Sequence, residues 1–175
     1  MTPLGERIRA LVLDEHDLPI PPRSELFLML AARVAFVEQV VLPALEQGSV
    51  VIADRFELST LAYQGAGRGL DADEIARCNR FATGGLSPDA TFLLELPAEE
   101  GARRQAAAAK RPDRLEREAR SFHERVASGY SELSGKIEGI VRIDATGTVE
   151  EVKHRVLSAL AQRFPETFPG SGFIS

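Results

Sequence analysis

Asp54 and Arg55 stand side by side, behind a short apolar run and ahead of Ser59, Thr60, Tyr63, Gln64 and glycines at 65, 67 and 69. A planar guanidinium presents paired donors that suit a phosphate. A carboxylate beside it can hold Mg²⁺ through its oxygen or through water. The same residues would also serve as an ion pair closing a strand before a glycine-rich turn, and residue types alone leave both readings open. Arg33 is the second candidate. It interrupts a stretch that is apolar from Leu26 through Val41. Burying an unpaired charge is costly, so Arg33 must meet a ligand, a carboxylate or solvent. The third candidate is Arg103-Arg104 with Lys110-Arg111-Pro112-Asp113-Arg114, basic groups flanking an alanine run. Such a segment is either a flap that closes over phosphates or a solvated connector.

These groups need a scaffold. The chain has 175 residues, a formal net charge of −5 and 44% apolar residues, which suits one domain with a sizeable core. The acidic balance argues against nucleic-acid binding driven by overall charge. One cysteine, Cys78, excludes an internal disulfide, and the scattered histidines His16, His123 and His154 form no metal-ligand pattern. A reducing cytoplasm is the compartment expected. No membrane partner is expected either, because Arg33, Glu38 and Pro43 interrupt the most apolar window.

Thr2 caps a first helix with Pro3 in its first turn, and residues 18–22 break it. Ser24 opens a second helix that runs to about Gln47, with Pro43 kinking it and Gly48 stopping it. Its nearly all-round apolar surface places it in the core or at a subunit interface. The run 49–53 is uncharged and β-branched, and reads as a strand buried on both faces. Residues 91–96 and 140–143 are two further strands. Asp71 and Glu74 have capping-box spacing, as do Thr148 and Glu151. A helical stripe covers Leu115 to Leu133, Gly84-Gly85 closes the helix before it, and Pro165 stops the last helix. The tail 166–175 reads as loose. Strands alternating with helices predict an α/β fold, a parallel sheet flanked by helices. Ligands bind at the carboxyl ends of such strands, where Asp54 and Arg55 fall.

Asp54-Arg-Phe…Ser59-Thr-Leu-Ala-Tyr-Gln-Gly65, Leu30-Ala-Ala-Arg33, Arg111-Pro-Asp-Arg-Leu-Glu116 and Phe122…Arg125-Val126…Gly129-Tyr130 occur in one order along the chain. Together they resemble the thymidylate kinase family, nucleoside monophosphate kinases of the P-loop fold. The resemblance implies one domain over 1–165 with a lid at about 101–114, and transfer of a phosphoryl group from ATP to dTMP with Mg²⁺. It implies that Arg55 grips the dTMP phosphate and that Asp54 helps place Mg²⁺, directly or through water. Arg33 would hydrogen-bond the thymine carbonyl. Ser59, Thr60, Tyr63 and Gln64 would line the thymidine pocket, with Tyr63 near the sugar. Arg104, Lys110 and Arg111 are the lid candidates, and helix 24–47 is the expected homodimer interface.

Three departures from the family pattern stand out. Met29 occupies the position where the family carries a phenylalanine that stacks on thymine; its polarizable sulfur can pack on a ring. Alanines fill 106 to 109, where some relatives carry arginines. No G-x-x-x-x-G-K-[ST] motif occurs anywhere. The expectation is a fold lacking its N-terminal strand, phosphate loop, helix and strand, a Met1 assigned too late or marking a truncation, and a chain that does not catalyse transfer by itself. The alternatives are a non-catalytic nucleotide-binding or dimerisation module, or another deoxynucleotide or deoxynucleoside kinase.

Overall fold

The computed structural model describes residues 2–15, 17–107 and 112–169. The chain packs as two compact units, Met1–Ser87 with Pro112–Leu133, and Pro88–Arg111 with Ser134–Ser175.

In the first unit, α1 (Pro3–Leu13) starts as its sequence dictates: the Thr2 hydroxyl accepts the Gly5 N–H at 3.0 Å. It buries Ile8, Val12 and Leu13 in a cluster with Ala62, Leu115, Phe122 and Val126. The next helix, α2 (Pro22–Phe36), begins at Pro22 rather than at Ser24. Proline suits a first helical position because its missing N–H would have no partner there. The helix continues through a π-helical turn, π1 (Val37–Val41), into α3 (Leu42–Glu46). Pro43 explains this turn. It cannot donate to the carbonyl four residues back, and its ring would strike that carbonyl. The Leu42 N–H bonds instead to Val37 O, five residues back, and the widened turn absorbs the misfit. Gly48, at φ 74°, then stops the helix, its N–H bonding to Leu45 O at 2.9 Å.

By length and composition alone, Pro22–Glu46 would pass for a membrane span. Here it packs against α1 and α5 (Ala72–Ala82), and two charged side chains along it, Glu25 and Arg33, find polar partners inside the unit.

The expected strand at 49–53 is not formed. Residues 50–54 make no backbone ladder with any described residue, and Val50 and Ile52 are 57% and 84% exposed. A strand exists only through its neighbour, and apolar β-branched residues alone supply none. After it come α4 (Glu57–Thr60), a second π-helical stretch, π2 (Leu61–Gly67), and α5, whose Asp71 cap accepts the Glu74 N–H at 2.9 Å. The stripe from Leu115 becomes helical only at Arg120, where α7 (Arg120–Lys136) begins. Gly129 lets α7 lie close on π2: a Cβ there would stand 2.6 Å from Ala66 Cβ.

In the second unit, β1 (Thr91–Glu95) and β2 (Ile140–Asp144) pair in parallel, from Thr91 with Ile140 to Glu95 with Asp144. Parallel pairing is what the alternating pattern predicts. Helix α6 (Ala98–Ala107) takes in the first part of the expected lid. Helix α8 (Val149–Arg163) carries the complete Thr148–Glu151 capping box. Within the expected loose tail, Phe168 N–H closes a turn on Phe164 O at 2.9 Å, and residues 170–175 lie outside the described residues.

One group organises the first unit. Glu25 is fully buried, and its carboxylate accepts from Gln64 Nε2 at 2.8 Å, from Arg68 Nε and Nη2 at 3.2 and 3.0 Å, and from Arg114 Nη2. Burial alone would raise its pKa. The hydrogen bonds from Arg68, Arg114 and Gln64 outweigh burial and hold the carboxyl below its ordinary 4.5. A depressed carboxylate adds stability above its unfolded pKa, and that contribution disappears as pH falls through the folded value. Glu25→Gln is therefore expected to cost about 3–5 kcal/mol at neutral pH, because it takes from Arg114 its carboxylate partner and leaves Arg68 with Glu118 alone. Urea unfolding from pH 7 down to pH 3 checks this, and the gap between the two proteins should close toward the acid end.

Candidate active site

Arg55 sits on an unusual backbone. Its φ of 67° makes it the only non-glycine in the left-handed region among the described residues. Left-handed backbone crowds a Cβ and costs a residue other than glycine about 1–2 kcal/mol. The turn aims the side chain so that the guanidinium carbon lies 5.2 Å from the centre of the Tyr63 ring. Asp54 is exposed beside it.

Tyr63 belongs to an aromatic set. It meets Phe122 edge-on at 6.1 Å and Tyr130 at 6.3 Å, and Ser59 Oγ shares a 2.8 Å hydrogen bond with the Tyr130 hydroxyl. Burial pushes the Tyr130 phenol above its usual pKa, against the opposing pull of Ser59 and Arg55. The phenol therefore stays protonated at neutral pH. Thr60 and Gln64 are buried. The Gln64 amide N–H₂ is engaged by Glu25, so this side chain braces the wall of the site from behind.

Arg33 is clamped. Its Nη1 donates to Asn79 Oδ1 and its Nη2 to Phe56 O at 3.0 Å, while its guanidinium carbon lies 5.1 Å above the Phe56 ring. Burial lowers its pKa to about 10, with Glu57 pulling the other way, so it stays charged at neutral pH. The sequence reading gave Arg33 a ligand, a carboxylate or solvent; its hydrogen bonds go instead to two neutral acceptors of the protein, a side-chain amide and a backbone carbonyl. Met29 is half-buried one helical turn earlier on the same face. Met29, Arg33, Asp54, Arg55, Ser59, Thr60, Tyr63 and Gln64 thus all belong to the first unit, on α2 and the stretch 54–64.

The lid candidates fare differently. Arg104, in the second unit, donates to Glu100 Oε1 at 2.8 Å, to Ala145 O at 3.2 Å and to Gly147 O at 2.8 Å, which pins it to the loop after β2. Lys110 and Arg111 lie outside the described residues. Among the described residues no group of three His, Cys, Asp or Glu side chains is placed to hold a metal.

Glu25, Asn79 and Arg68 escaped the sequence reading, and Arg114, read there as part of the basic segment 110–114, pairs instead with Glu25 and Val12 O. The signal was a polar residue at a core position. Glu25 directly precedes the apolar face of α2, and Asn79 falls one turn after buried Ile75 on α5.

The strained turn yields a clean comparison. Arg55→Gly relieves the left-handed backbone and Arg55→Ala does not, while both remove the guanidinium. Arg55→Gly should be the more stable of the two by about 1 kcal/mol in urea unfolding.

A thymidylate kinase family model matches residues 1–156. Among curated relatives, a thymidylate kinase of Alkalilimnicola ehrlichii is 43% identical over 171 residues, covering 97% of this chain and 79% of its own length. One from Synechococcus sp. (strain JA-2-3B'a(2-13)) is 47% identical over 165 residues, covering 94% of this chain and 77% of the relative. A third, from Lactobacillus helveticus, is 40% identical over 167 residues, with 94% and 79% covered. With the match running from α1 through both strands and into α8, the chain belongs to the thymidylate kinase family.

Proposed function

We propose that this chain supplies the acceptor side of phosphoryl transfer from ATP to dTMP, giving dTDP and ADP. The observation that carries the reading is Arg55, a guanidinium held on strained backbone over Tyr63, beside Asp54. Strained residues cluster where geometry serves a ligand. Arg55 grips the dTMP phosphate. Arg33 donates to the thymine carbonyl, with Met29 against the base. Tyr63 borders the sugar, Ser59 and Thr60 line the pocket, and Gln64 supports it through Glu25. Phosphoryl transfer depends mainly on positioning and charge neutralisation, which these groups supply at the acceptor end.

ATP and Mg²⁺ belong to the same reading. Asp54 suits a contact to Mg²⁺ through water, since among the described residues no group of three His, Cys, Asp or Glu side chains is placed to hold the ion directly. Arg104, Lys110 and Arg111 remain the proposed donor-side cations. The sequence holds no G-x-x-x-x-G-K-[ST] motif, so acceptor binding and turnover are measured separately. A cytoplasmic setting fits the one free thiol, Cys78.

Calorimetry tests the acceptor site directly. Arg55→Ala should weaken dTMP at least tenfold, the scale of a charge-assisted hydrogen bond of about 1.5–3 kcal/mol. Thymidine, which lacks the phosphate, should bind the variant as it binds the parent. An equal loss for both ligands would assign Arg55 to the nucleoside instead.

We also propose a homodimer through the outer face of the helix 24–47, where Phe27, Leu42 and Leu45 are exposed. Light scattering at micromolar concentration should give about twice the chain mass, as symmetric pairing requires. Phe27→Glu should return a monomer.

A further inference from the structure

Asn79 is 2% exposed, and its two polar atoms have opposite fates. Oδ1 accepts from Arg33 Nη1, whereas Nδ2 is buried without a partner. A guanidinium can only donate, so Oδ1 and not Nδ2 must face Arg33. The amide cannot turn over to rescue its own N–H₂ without losing that bond. A stranded buried donor is costly. Around it, α5 packs apolar residues, Ile75 and Ala82, against Leu26 and Leu30 of α2. An aliphatic side chain of similar size would suit that packing and strand nothing on α5. What it could not do is accept from Arg33.

We propose that Asn79 is a positioning residue that sets base selection, fixing the Arg33 guanidinium so that its remaining N–H groups face the 4-keto oxygen of a pyrimidine. This rests on the reading of Arg33 as the group that meets the base. Two protein acceptors, Asn79 Oδ1 and Phe56 O, occupy Nη1 and Nη2, and the Phe56 ring lies against the guanidinium. Two acceptors on a planar fork fix its plane, and one alone would leave it free to swing. A fixed donor suits a 4-keto group and meets a 4-amino group with donor against donor. Such a site discriminates by leaving polar groups unpaired in the wrong complex.

The test is the ratio of dTMP to dCMP affinity, measured by calorimetry on the full chain and read beside thermal unfolding. Asn79→Leu should lower that ratio about tenfold, 1.4 kcal/mol in discrimination, with little change in unfolding temperature. Asn79→Asp, which keeps the acceptor and removes the stranded donor, should hold the ratio. Arg33→Met should erase it. A merely structural role for Asn79 would weaken both nucleotides together and leave the ratio alone, which overturns the proposal while Arg33 keeps its role. An unchanged ratio in Arg33→Met, or no dTMP binding by the unsubstituted chain, overturns both. If Asn79→Leu does not fold, Asn79→Asp decides: a collapsed ratio there refutes the proposal, because the acceptor is still present.

Discussion

The first unit depends on a carboxylate that sees no water. Glu25 takes four hydrogen bonds from Gln64, Arg68 and Arg114, which come from π2, the turn after it and the approach to α7. Each donor is tied further. Arg68 bridges to Glu118 at 2.7 Å and lies 4.6 Å from the Phe122 ring centre. Arg114 donates from Nε to Val12 O at 2.6 Å, and its backbone N–H bonds Leu13 O. Burying ions is a poor source of net stability, because desolvation offsets most of the attraction. What this cluster supplies is alignment. A slip of π2 along α2 would strand a charge, so the relative placement of Arg33 and of the stretch carrying Thr60 and Tyr63 is held tightly.

Irregular backbone accompanies this alignment at the points that carry polar chemistry. The π-helical stretch Leu61–Gly67 bears Tyr63 and Gln64, and left-handed Arg55 stands six residues before it. Widened turns and strained residues are uncommon in structures that need only to be stable. Here the cost is met by neighbours that would clash or lose partners if the chain relaxed, with π2 pressed against α7 across Gly129.

Local signals survived from sequence to structure. The Thr2 cap, the Asp71 cap, the Thr148–Glu151 box and the stop at Gly48 depend on a few adjacent residues, and all four formed. The strands at 91 and 140 formed because each supplied the other's ladder. The run 49–53 has the composition of a strand, but pairing is a property of two segments, and nothing local encodes the second. The start of α2 was misread because Ser24 is a good cap, whereas Pro22 fits the first position with no cap at all. Among the proposed site residues, Asp54, Arg55 and Arg33 stood out in the sequence because charge next to apolar residues is conspicuous. Asn79 and Glu25 were not, since their meaning lies in partners 46 and 39 residues away.

The exposed run Ser49-Val-Val-Ile-Ala53 has a colloidal consequence. It is five uncharged residues rich in β-branched side chains, a composition that stacks readily with copies of itself. Asp54 and Arg55 follow immediately. Charges flanking such a run act as gatekeepers, since stacking copies in register would pile like charge on like. The pair proposed to meet phosphate and Mg²⁺ thus also keeps chains apart. Neutralising Arg55 removes one of the two charges, so solubility and the proposed phosphate contact draw on the same side chain at this position.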